Sequence, residues 1–171
     1  MKQRPQSAEA APYYFTYIDK VPGADVIEVL ESQLDELPTF LGAIWEEKSL
    51  HRYAPEKWSV RESWGHVNDC ERMFLLRAFW FARGFDTPLP SFDQNTAVAA
   101  AGSDQVSWAR HIEEFRSVRQ GTLTFFRNLP VEAWYRTGVA SGNPFTVRAL
   151  AYITAGHVVH HRRILEERYL V

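Results

Sequence analysis

The sequence predicts an all-α protein, a four-helix bundle, from three observations. Four long stretches carry apolar side chains at steps of three and four, the spacing of one helix face. No run of alternating apolar and polar residues marks a sheet. Apolar residues make up 46% of the 171, with six Trp and eleven Phe, enough to fill the interior of one domain. Helices of this number, each with one apolar stripe, bury their stripes against one another.

Residues 1–12 turn polar and alanine-rich and read as a flexible tail. Residues 13–171 then form a single domain. Tyr13-Tyr14-Phe15-Thr16-Tyr17-Ile18 is short and aromatic, and reads as a segment packed on the body rather than as a strand. The first bundle helix is expected over 24–45, where Val26, Leu30, Leu34, Leu37, Leu41 and Ile44 share a face; Pro38 is expected to kink or split it. The second is expected over 59–83. Its start, Ser59-Val60-Arg61-Glu62, is a capping box in which the two polar side chains satisfy free amides of the first turn, and Gly84 marks its stop. The third spans 103–128, with Trp108, Ile112, Phe115, Leu123 and Phe126 inward and Pro130 beyond its end. Asn143-Pro144 reads as a turn before the fourth, over 146–168. The connection from Gly84 to Gly102 is long. A structureless loop of that length has a task, such as covering a site, and it permits parallel neighbours.

Composition excludes several partners. A net charge of −2 lacks the basic face that phosphate binding needs, so no nucleic acid is expected. No apolar run approaches the ~18 residues of a membrane span. The residues after Met1 lack the apolar stretch of a secretory signal. One cysteine, Cys70, allows no internal disulfide and suits a reducing compartment, so a cytoplasmic location is expected.

The chemistry gathers in Gly156-His157-Val158-Val159-His160-His161. At about 100° per residue, the stripe from Val147 through Leu150, Thr154, His157 and His161 to Leu165 fills an arc of roughly 140°. His157 and His161 lie inside it, roughly 40° apart; His160 falls on a flank. Two imidazoles in an apolar stripe need partners for their nitrogens. A divalent metal is one solution, and ordinary hydrogen bonds are the other. On the second helix, periodicity places His66 on a flank, partly exposed, and does not nominate it as a ligand. It nominates Glu71, a carboxylate in the middle of an apolar face. An internal ion pair with Arg116 or Arg119 is the favoured account, and a base or supporting group beside a site is the alternative. Cys70, one turn from His66, reads as a small core residue, and His51 and His111 as surface or loop residues.

Several motifs together resemble one family. They are Lys57-Trp58-Ser59-Val60-Arg61-Glu62, Gly65-His66-Val67-Asn68-Asp69 with Glu71-Arg72, Pro90-Ser91-Phe92-Asp93-Gln94, Asn143-Pro144-Phe145-Thr146-Val147-Arg148-Ala149-Leu150, and the histidine cluster. In order and spacing they resemble the DinB-like (DinB/YfiT-like) superfamily, over about residues 25–170. The resemblance implies up-down-down-up topology, which the long connection between the second and third bundle helices accommodates. It implies one divalent ion per chain, commonly nickel or zinc, held by the residues matching His66, His157 and His161. It also favours homodimers. His160 matches a residue often found beside the second ligand, where it could shape the pocket or donate a hydrogen bond.

Three neutral imidazoles leave an ion's double charge to act on a further ligand. Water then ionises near neutral pH, and a thiol still more readily. The resemblance therefore implies an enzyme acting on a small molecule. The leading expectation is a thiol-dependent S-transferase that activates a low-molecular-weight thiol, such as bacillithiol or mycothiol, as a metal-bound thiolate. A metal-dependent hydrolase is the alternative. No H-E-x-x-H places a base beside the histidines, and Glu71 or Asp69 would serve only if the fold brings one close, which tilts the choice towards thiol transfer. Arg148, Arg162 and Arg163 are candidates for a cationic patch around an anionic thiol, against the simpler account of solvated charges. Phe92-Asp93-Gln94 either closes over substrate or anchors its loop, with Phe92 buried and Asp93 capping a turn. The third possibility is a non-catalytic, metal-stabilised interaction module. Phe79, Trp80 and Phe81 make the second helix apolar nearly all round near its end, which suits a dimer face.

Overall fold

The computed structural model describes residues 3–23 and 25–171. Short 3-10 turns, Ser7–Glu9 and Pro12–Tyr14, lead into a single helical turn, α1 (Phe15–Ile18). Then come α2 (Val26–Gly42), α3 (Val60–Ala82), α4 (Gln94–Ala101), α5 (Trp108–Arg127), a hairpin of β1 (Thr137–Ala140) and β2 (Asn143–Thr146), and α6 (Val147–Ile164). A π-helical turn, Leu165–Tyr169, continues α6.

The bundle is α2, α3, α5 and α6, and its directions follow from which residues meet. Asn68 and Glu71 of α3 meet His111 and Arg119 of α5, and Phe79 meets Phe125, so the two helices run parallel. Ser63 meets His161 while Phe74 meets His157, so α3 and α6 run antiparallel. Glu31 meets Arg127 and Leu41 meets Trp108, so α2 opposes α5. Gln33 and Glu36 meet Ala155 and Arg162, so α2 runs with α6. The order is up-down-down-up.

One buried polar chain ties all four helices. Arg119 of α5 donates to both carboxylate oxygens of Glu71 on α3, at 2.7 and 2.8 Å, and to Gln33 Oε1 on α2 at 2.6 Å. Gln33 in turn donates to the Ala155 carbonyl of α6 at 2.9 Å. Of the two arginines the sequence offered to Glu71, the fold selects Arg119. Around this chain the apolar side chains form two clusters. One gathers α1, the hairpin and the C-terminal half of α3 around the first half of α6; the other gathers Leu41, Trp64, Trp108, Phe115 and Leu165. The three histidines sit at the seam.

Four expectations need correction. First, a sheet exists: β1 and β2 pair antiparallel, Thr137 with Thr146 and Ala140 with Asn143, so Asn143-Pro144 is strand rather than turn. The turn is Ser141-Gly142, with φ of 53° and 71°, the doubly positive pattern that matches the twist of a two-residue hairpin. Strands of four residues containing Gly138 and Pro144 carry too few apolar positions to show alternation. Second, the long connection is not structureless. Leu89 exchanges hydrogen bonds with Val139 and Ser141, and α4 follows, capped by Asp93. The helix was invisible to periodicity because only Val98 of its eight residues is buried. Third, of the two outcomes expected at Pro38 the split does not occur: α2 continues through it, the missing N–H removing one rung without ending the helix. Fourth, the segment before Tyr13, read as a tail, is bound to the body. Arg4 donates to the Ile18 carbonyl at 2.9 Å, Glu9 pairs with Arg148, and Ala10 bridges to Phe145.

Candidate metal centre

Each histidine is placed by a different local cause. The Ser59–Glu62 capping box forms as read, fixing the start and therefore the phase of α3. His66 lies on the face that turns towards α6. The indole of Trp58, in the segment leading into α3, covers it with ring centres 5.0 Å apart. Thr146 caps α6 through the Ala149 N–H, which sets the phase of His157 and His161. Gly156 lets α1 close in: a methyl group there would overlap the Tyr17 carbonyl. Tyr17 thereby lies against both His157 and His160, with ring centres 5.3 and 5.5 Å away.

His66, His157 and His161 are all buried, and each offers a nitrogen within 4.8 Å of the others. Their ring centres lie 4.5 to 5.1 Å apart. Burial, reinforced by the neighbouring His160, pulls His66 down to about 4. Burial also holds His157 and His161 well below the usual histidine range, with the other imidazoles adding to it. All three are therefore neutral at neutral pH, the form that donates a lone pair to a metal. His161 Nδ1 has Ser63 Oγ at 3.4 Å, and among the described residues the His66 nitrogens have only the Cys70 sulfur, at 3.5 and 3.6 Å. Among the described residues His157 has aromatic neighbours but no hydrogen-bond partner. Three neutral imidazoles so converged and so poorly satisfied fit a divalent ion.

The flank assignment of His66 is thus a second-helix error: it is 3% exposed. A single stripe describes a helix with one buried side, whereas α3 is covered by α5, α6 and α4. His111 is likewise buried, donating Nε2–H to the Ser103 carbonyl at 3.0 Å, whereas His51 is exposed as expected. His160 is half-buried on its flank. Glu71 is held by Arg119, and Asp69 faces Arg72, so neither carboxylate joins the histidines. The cationic patch does not form. Arg148 is buried against Glu9, and Arg162 and Arg163 pair with Glu166 and Glu167 one turn on.

Beside the histidines opens a cleft of about 300 Å3. His66, Cys70, Met73 and Arg77 line one wall, at successive steps of four, three and four along α3. His157, Tyr17, Phe74, Phe92-Asp93-Gln94 and Asn95 are among the other residues that line the cleft. Of the two accounts of the loop motif the structure shows the anchor: Phe92 packs against the core and Asp93 caps α4 through the Thr96 N–H at 2.7 Å, and all three residues border the cleft. Burial, with Asp69 nearby, pushes the Cys70 thiol up to about 12, so it stays protonated. Arg77 is the functional candidate that sequence reasoning missed. Its step from His66, three helical turns on the same face, was the available signal. A larger groove of about 750 Å3 between α2 and α6 contains none of the three histidines.

The fold and the histidine cluster together define an up-down-down-up four-helix bundle suited to a divalent metal. The chain belongs to the DinB superfamily, whose model matches residues 29–165. It is similar in structure to YfiT from Bacillus subtilis, described as "a probable metal-dependent hydrolase with an unusual four-helix bundle topology". The TM-score is 0.65 at 13% identity, over 96% of this chain and 93% of that one. None of the curated proteins matches the chain. Family and cluster both fit a metal-dependent protein. No helix among the described residues is long and apolar enough to cross a membrane.

Proposed function

We propose that this protein is a metal-dependent enzyme, with His66, His157 and His161 holding one divalent ion and a small molecule entering the adjoining cleft. The carrying observation is the convergence of three buried, neutral imidazoles on one point at the edge of that cleft. An all-imidazole donor set suits nickel or zinc. A divalent ion supplies Lewis acidity, lowering the pKa of a thiol or of water and polarising a substrate atom.

The favoured reaction is S-transfer from a low-molecular-weight thiol to an electrophile. Hydrolysis gains from a general base that can take a proton from water, and neither Glu71 nor Asp69 reaches the histidines. A thiol ionises more easily and needs less help. Tyr17 packs against His157 and Trp58 against His66, which narrows the approach to the cluster. Hydrolysis is the second reading, supported by the description of YfiT and by Asp93, whose carboxylate borders the cleft. A dimer would use the end of α3, where Leu76 and Phe79 are exposed.

The test is to incubate metal-loaded protein with a halogenated nitroarene and a panel of thiols, and separately with esters and amides. Thiol-dependent release of halide, lost in His157→Ala, is expected. Ester or amide cleavage without thiol consumption selects hydrolysis, and neither reaction with metal in place selects the interaction module.

A further inference from the structure

We propose that Arg77 is the anion-binding end of this cleft, so that the site takes small organic oxyanions with an apolar or aromatic body. The proposal rests on the reading of the histidines as the reaction centre and names the class of molecule that reaches it.

Among the described residues four arginines are buried: Arg61, Arg77, Arg119 and Arg148. Three have carboxylates, Glu46, Glu71 and Glu9. Among the described residues Arg77 has none. It is 4% exposed; one terminal nitrogen donates to Ser141 Oγ at 2.8 Å, and its Nε is buried with no partner. A guanidinium withdrawn from water without a counter-charge is strongly unfavourable. Its planar donors are matched by a carboxylate, sulfonate or phosphate. Arg77 lines the same cleft as His66 and His157.

Two features keep that position open to a ligand. Asp93, the carboxylate that borders the cleft, is engaged by the Thr96 N–H and makes no ion pair with Arg77. Ser141, whose hydroxyl meets the guanidinium, sits at φ 53°, an uncommon conformation for a non-glycine residue that the hairpin turn imposes. Much of the remaining lining is aromatic: Phe74, Phe92, Tyr14 and Tyr17. Arg77 and His66 stand three helical turns apart on α3 and line the same cleft, so the ligand's anion and its reacting group fall at separate places along it. The cleft volume lies at the small end of ligand pockets.

The test measures binding of benzenesulfonate, a poor metal ligand, against its neutral analogue methyl phenyl sulfone. It uses full-length protein at fixed ionic strength, metal-loaded and chelated, with metal content read separately. The parent is expected to prefer the sulfonate at least tenfold. Arg77→Met should abolish the preference while leaving sulfone binding and metal content unchanged. Should Arg77→Met not fold, Arg77→Lys decides, with sulfonate binding weakened at least threefold. A parent that does not discriminate, or an Arg77 variant that discriminates as the parent does, overturns the proposal. A chain that takes up no metal yet discriminates through Arg77 defeats the metal reading and leaves this one standing; a metal-loaded chain that does not discriminate does the reverse.

Discussion

Removing the Glu71 carboxylate would leave the Arg119 guanidinium fully buried with no counter-charge among the described residues, facing Gln33, the Leu30 carbonyl and the Phe115 ring. Breaking one side of such a pair costs about 3–5 kcal/mol, so Glu71→Ala is expected to lower the urea midpoint by that equivalent without abolishing metal uptake. The histidines make a different prediction. In metal-free protein their folded pKa values lie below the unfolded value of 6.5, with His66 at about 4. Below pH 6.5 the unfolded chain binds protons that the folded chain refuses. Stability is therefore fully present above 6.5 and falls as pH drops towards 4, and urea unfolding at stepped pH should show that loss. At this scale the sequence was readable where a polar residue fell inside an apolar stripe. His157, His161 and Glu71 declared themselves by phase. His66 did not, because α3 is buried on more than one side. His111 stands on the single inward stripe of α5, with Trp108 and Phe115, and was legible there. Arg77 did not declare itself, because a charge in a cleft looks, in sequence, like a charge in water.

Helix α1 is only four residues long and has no independent stability; it holds its place over the site because Gly156 admits its backbone. Gly156→Ala is expected to force the two apart. The overpacking costs about 1–3 kcal/mol, and amide exchange over residues 15–18 should rise more than in α3 or α5. The bundle helices were legible because each carries a stripe and a defined start, as the Ser59–Glu62 box illustrates. The elements around the site were not. The hairpin is too short for alternation, and its signal was the Ser141-Gly142 turn alone; α4 buries one side chain. Both are held by what they touch, the hairpin by Arg77 and Leu89 and α4 by α3, rather than by their own pattern.

Across the molecule, up-down-down-up order puts α3 beside both α5 and α6, so one helix contributes to the Glu71–Arg119 chain on one side and to the histidine cluster on the other. A bound ion would then join α3 to α6 at the seam between the two apolar clusters, and stabilise the whole bundle. At a hundredfold excess over Kd the gain is about 2.7 kcal/mol, so a chelator should lower Tm by roughly 5–10 °C, reversibly on adding back nickel or zinc. The topology itself followed from a family resemblance and a long connection, whereas the positions of the two small elements around the cleft had to come from the structure. The central claim is that His66, His157 and His161 hold an ion, and metal analysis of protein purified without a histidine tag tests it most directly. About one nickel or zinc per chain is expected in the parent, with loss in the His157→Ala, His161→Ala double variant. A parent without metal after exposure to both ions, or a double variant that retains it equally, would contradict the account.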